Sequence, residues 1–95
     1  MRAYQETFQK MVEQNKEIFD NFKAVHDAYV LSPEVNKAKF NELGREITDI
    51  IRDYERRLCA QMGKGQFSKF TQNLSEKFWN EVRKVYPKID FIGIQ

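Results

Sequence analysis

The side chains of this 95-residue chain whose types could do acid–base, nucleophilic or metal chemistry are its single histidine, His26, its single cysteine, Cys59, and several paired carboxylates. One helical turn from His26 stand Phe22, Lys23, Tyr29 and Val30. None of them ligates a metal, so a Glu-x-x-His or multi-histidine site is excluded on spacing. Asp27 is adjacent but points elsewhere on a helix, and no local histidine–carboxylate dyad is expected. His26 reads as a partly buried histidine of a helical bundle. Arg52, Arg56 and Arg57 lie near Cys59 and would favour its thiolate. With no base beside it, Cys59 reads as a small core residue.

Carboxylates pair at helical spacing in Glu13 with Glu17, Glu42 with Glu46 and Glu46 with Asp49. These pairs fall opposite the apolar stripe, where solvated charge is the expected role. Gly63-Lys64-Gly65 lacks the Gly-x-x-x-x-Gly-Lys-Ser/Thr pattern of a phosphate loop and reads as a helix stop. Asn73-Leu74-Ser75 matches the glycosylation triplet but lies inside a predicted helix. The sequence therefore assigns no catalytic residue, no cofactor and no metal, and a non-enzymatic role is expected.

Residues 1–50 hold 7 basic and 9 acidic side chains, whereas residues 51–95 hold 9 and 5. The second half could present Arg52, Arg56, Arg57, Lys64, Lys69, Arg83 and Lys84 to phosphates. The spacing from Cys59 to Gly63 imitates a helix-turn-helix corner. Lys64, however, occupies a usually apolar site, and the preceding helix is too long for that motif. Ordinary salt bridges to Asp53, Glu55, Glu76 and Glu81 are the competing account of these cations.

The elements that would position these residues are helices. Tyr4, Phe8, Met11, Asn15, Ile18, Phe22, Val25 and Tyr29 recur at steps of four and three, flanked by Val12, Phe19 and His26, and predict one helix over about 3–30. Asn15, polar on that seam, could fix register and partner number or sit at a wet rim. Ser32-Pro33-Glu34 reads as a cap, a first helical residue and a favourable first-turn charge. It opens a second helix over about 33–62 through Val35, Phe40, Leu43, Ile47, Ile50, Ile51, Tyr54, Leu58 and Met62. Gly44, inside that helix, implies a close approach or a weak point, at about 1 kcal/mol relative to Ala. Phe67, Phe70, Leu74, Phe78, Val82 and Tyr86 predict a third helix over about 68–86, closed by Pro87. Residues 87–95 form a short apolar tail. The expected fold is all-α, one domain over 1–95: a long antiparallel helical hairpin plus a shorter third helix, together a bundle.

A third helix shorter than the hairpin leaves apolar stripe uncovered at one end. A second copy of the chain could cover it, so a homodimer is a candidate state. The leading functional expectation is a non-catalytic interaction or scaffold module that meets a protein partner through Phe78, Trp79, Phe91, Ile92 and Ile94. The runner-up is a nucleic-acid-binding protein using the basic face. No stretch approaches the roughly 20 apolar residues of a membrane span, no signal-peptide core opens the chain, and no membrane partner is expected. A lone cysteine fits a reducing compartment, and the chain reads as cytoplasmic.

Overall fold

The computed structural model describes the backbone of residues 2–63 and 68–93 and their side chains apart from 61–72. Four α-helices follow in order: α1 (Ala3–Gln14), α2 (Lys16–Leu31), α3 (Pro33–Gly63) and α4 (Ser68–Val85), with a 3₁₀ turn at Ile89–Phe91. No strand occurs among the described residues, and the protein is an all-α helical bundle. Pro33 opens α3, where its fixed φ and missing N–H cost little, and Ser32 alone separates α3 from α2. Asn36 Nδ2 donates to the carbonyls of Ala28 at 3.1 Å and Ser32 at 3.0 Å, tying the end of α2 to the start of α3. The chain folds back there, so that Tyr29 stacks on Phe40 with ring centroids 3.9 Å apart, and Asn15 reaches Tyr54.

The single first helix predicted over 3–30 is instead two, broken at Asn15. Asn15 Nδ2 donates to the Met11 carbonyl at 2.9 Å and to Tyr54 Oη at 3.3 Å, and Tyr54 Oη donates to Gln14 Oε1. The Asn15 backbone leaves the helical range there, at φ −128° and ψ 37°, although its N–H still bonds the Met11 carbonyl at 3.1 Å. Asn15 thus sets the register of α1–α2 on α3 within the chain. Beyond the break the buried line also moves. Phe19, Phe22 and His26 are sealed, whereas Ile18, Val25 and Tyr29 are half-buried. The residues read as flanks have become the centre, because the end of α4 lies over them.

That end carries Tyr86, whose ring sits 5.3 Å from Phe22, 5.8 Å from His26 and 6.2 Å from Phe19. Burial pushes the Tyr86 hydroxyl up to about 12, helped by the charges of Asp20 and Asp27. Lys23 Nζ donates to the Val85 carbonyl at 3.0 Å, a cation at the negative end of the α4 dipole. The Lys88 amide donates to His26 Nε2 at 3.1 Å. Ile89 is then buried, and Gly93 N–H donates to Asn41 Oδ1 at 2.9 Å. Gly93 takes φ +85°, a left-handed conformation suited to glycine. The tail docks on its own chain.

Gly44 explains how it fits. A Cβ there would stand 2.6 Å from Ile92 Cδ1 and Cγ1, so this position takes a close approach, made by the tail rather than by another helix. At the opposite extreme, Val35, expected in the α3 stripe, is 86% exposed beside Leu31 at 85% and Val30 at 46%.

Gly44→Ala should therefore have opposite signs in two backgrounds. Overpacking against Ile92 costs about 1–3 kcal/mol, while the gain in helix propensity is about 1 kcal/mol. The variant is expected to lose stability in the native chain and to gain it in Ile92→Ala. Urea midpoints of the four proteins measure the difference, and equal effects in both backgrounds would contradict the docking.

Candidate functional site

The outward face of α3 carries Arg45, Thr48, Asp49 and Arg52 at steps of three, one and three, a stripe along a single helical surface. Trp79 from α4 and Ile89, Asp90, Ile92 and Gly93 from the tail face it across a groove of about 300 Å³. The walls are fixed by polar contacts. Trp79 Nε1 donates to Glu55 at 2.9 Å, and Ser75 Oγ donates to the same carboxylate, joining α4 to α3. Arg83 grips Asp90 through Nε at 2.8 Å and Nη2 at 3.2 Å, and its guanidinium lies 6.0 Å from the Trp79 ring centroid. The hydrogen bond from Arg83 holds the Asp90 carboxyl below the usual carboxylate range, against a smaller opposing effect of burial.

This groove joins residues from both sets singled out in the sequence. Arg52 comes from the phosphate candidates, Trp79 and Ile92 from the protein-contact candidates. Other members lie elsewhere. Phe78 is fully buried in the core, which corrects its assignment to a contact surface: one residue from Trp79 on a helix, it turns inward. Phe91 is 44% exposed, with Lys88 Nζ 4.8 Å over its ring. Arg56 and Arg57 both pair with Asp53, and Lys84 pairs with Glu81 at 2.7 Å. Lys64, Ile94 and the Lys69 side chain lie outside the described residues. Among those described, Arg45 and Arg52 form no ion pair. Arg45 and Thr48 were not singled out by sequence, and Asp49 only as a carboxylate paired with Glu46. Their three- and four-residue spacing with Arg52, next to Gly44, is the signal that marks them.

The two reactive side chains stand apart from the groove's open face. His26 does form a dyad with Asp27, contrary to the expectation from adjacency, with Nδ1 and Oδ1 3.1 Å apart. The reason is the tail: the Lys88 amide occupies Nε2, which leaves the proton on Nδ1, aimed along the helix edge at Asp27. That hydrogen bond lowers the Asp27 carboxyl's proton affinity. With both nitrogens engaged and the ring 1% exposed, His26 offers no free base. At Cys59, burial pushes the thiol up and the charge of Glu55 adds to it, against any favouring of the thiolate by the nearby arginines. The paired carboxylates Glu13, Glu17, Glu42, Glu46 and Asp49 are exposed. Among the described residues no three histidine, cysteine or acidic side chains gather into a metal-binding group, and no helix is long and apolar enough to cross a membrane.

No protein-family model matches the chain, and neither a curated protein nor a solved structure shows significant similarity to it.

The Arg83–Asp90 clamp gives an acid-dependent term. A carboxyl held low in the fold contributes stability that is present above its unfolded value of about 3.9 and lost as pH falls through the folded one. Asp90→Asn is expected to lower stability at pH 7 by a few tenths to about 1 kcal/mol, the range for a half-exposed pair. It should match the native chain at strongly acid pH. Urea titrations at the two pH values check this, and a deficit that persists in acid would contradict it.

Proposed function

We propose that the protein is a non-catalytic helical interaction module whose groove between α3 and the C-terminal segment receives an acidic stretch of a partner protein. The supporting observation is the pairing pattern of the cations. Arg56, Arg57, Arg83 and Lys84 already have carboxylates, whereas Arg45 and Arg52 flank the groove without one among the described residues. Arginine and tryptophan are the side chains that contribute most at protein interfaces, through bidentate carboxylate contacts and large rigid area. Seven residues of helix separate the two arginines by about 10 Å along the axis. Roughly three residues of an extended chain span the same distance, with the Trp79 edge and Ile92 between to take an apolar side chain. Asp49 and Asp90 in the same walls favour a partner segment of mixed rather than uniformly negative charge.

Selection from a displayed random peptide library, with the Arg45→Glu/Arg52→Glu protein as counter-selector, tests the reading. The expected peptides carry Asp or Glu on either side of an apolar residue, bind less tightly as salt rises, and lose at least tenfold in affinity for the double variant. Peptides that bind both proteins equally would reject the groove. A duplex or single-stranded oligonucleotide that binds with a steep salt dependence, where no peptide is enriched, would instead assign the basic half to nucleic acid.

A further inference from the structure

His26 is buried against the point where the C-terminal segment leaves α4, and its two ring nitrogens are committed in opposite senses. A backbone N–H can only donate, so the 3.1 Å contact from the Lys88 amide requires an unprotonated Nε2. Nδ1 then carries the proton, 3.1 Å from Asp27 Oδ1. An imidazolium donates from both nitrogens and keeps no lone pair for the amide. Histidine is the side chain that ordinarily changes charge between about pH 5 and 8. On α2 itself, Lys23 Nζ stands 3.2 Å from Asp27 Oδ1, and neither side chain belongs to the tail. Just past α4, the Tyr86 ring meets His26 edge-on, and its hydroxyl, pushed up to about 12, stays protonated throughout that range. Lys84 is paired with Glu81, and α3 meets the ring with the uncharged Phe40. A cleft of about 450 Å³, lined in part by Lys23, His26, Asp27, Lys84 and Pro87, brings solvent to this corner.

We infer that the His26–Lys88 contact is an acid-released latch: a proton on Nε2 expels the Lys88 amide and frees residues 88–93 while the helices stay folded. The released form takes up a proton that the docked form has no place for, so docking weakens as pH falls and strengthens as it rises. The tail's other polar anchors do not change over the same range. Asp27 is held below the usual carboxylate range chiefly by the His26 hydrogen bond, and Asp90 by that of Arg83, so both stay ionised. The Arg83–Asp90 pair therefore persists, as does the bond from Gly93 to Asn41, which involves no titrating group. Asp27 steadies an imidazolium whether the tail is docked or free, and Nε2 is the atom that tells the two states apart. The segment it holds is short, a single 3₁₀ turn at Ile89–Phe91 with a few flanking residues. Its departure takes Ile89, Asp90, Ile92 and Gly93 out of the groove wall and uncovers the notch at Gly44. Whatever the groove receives, its second wall stands only while His26 is neutral.

Amide hydrogen exchange of the full, ligand-free chain at about pH 8 and pH 5, corrected for the intrinsic pH dependence of exchange, tests the latch. Setting a donor against a donor lowers the closed-to-open ratio by about 5- to 150-fold, the equivalent of a buried polar group left unpaired. Protection at Lys88 and Gly93 is expected to fall by that factor in acid and to drop below that of Ile47 and Ile51 in α3, with the helical circular dichroism unchanged. His26→Gln, whose Oε1 can accept from an amide but does not titrate, should keep its tail protection at both pH values. Unchanged tail protection in the native chain, or an equal fall in His26→Gln, would overturn the inference. So would tail and α3 amides that lose protection in step, since acid would then be loosening the whole bundle. A nuclear magnetic resonance titration of the native chain gives a check that needs no variant: the His26 ring and the Lys88 amide should shift with one midpoint, and separate midpoints would equally reject the latch. With no ligand present, the outcome is independent of the peptide selection.

Discussion

A hydrogen bond from a backbone amide to a buried imidazole ring holds the C-terminal segment on the helical bundle. The Lys88 N–H donates to His26 Nε2 at the point where α4 has ended and the chain turns over the aromatic core. Leaving either group buried without the other would cost on the order of 1–3 kcal/mol. The bond therefore fixes where the tail begins. From that anchor Tyr86 closes over Phe19 and Phe22, Ile89 is buried, Asp90 reaches Arg83, Ile92 settles on Gly44 and Gly93 meets Asn41.

Periodicity made the helices legible because their apolar spacing is long and regular, and Pro33 and Gly63 bound α3 where steric rules place such residues. What it could not show arises from contacts distant in sequence. Asn15 on a heptad seam is ambiguous until Tyr54, 39 residues away, is seen to engage it. Phe19 and His26 become central only because Tyr86 covers their flank. Gly44 has the same local neighbours whether it marks a weak point or a notch, and Ile92, 48 positions on, decides. The basic half was legible as composition, but its reading changed once Asp53, Glu81 and Asp90 were found to pair four of its nine cations.

The groove is concave, walled by Trp79 and by a tail that is itself hydrogen-bonded in place, and so it is preorganised for a specific segment. It follows from length: α4 is 18 residues against the 31 of α3, and the tail lies along α3 at Asn41 and Gly44 to form the groove's second wall.

Native-state hydrogen exchange at the Lys88 amide tests the account most directly. The structure predicts that this amide, though it lies outside any helix, exchanges as slowly as the core amides of α3 around Ile47 and Ile51, through global unfolding alone. Exchange at the rate of a frayed terminus would mean that the tail is not anchored at His26, and the groove it builds would fall with it.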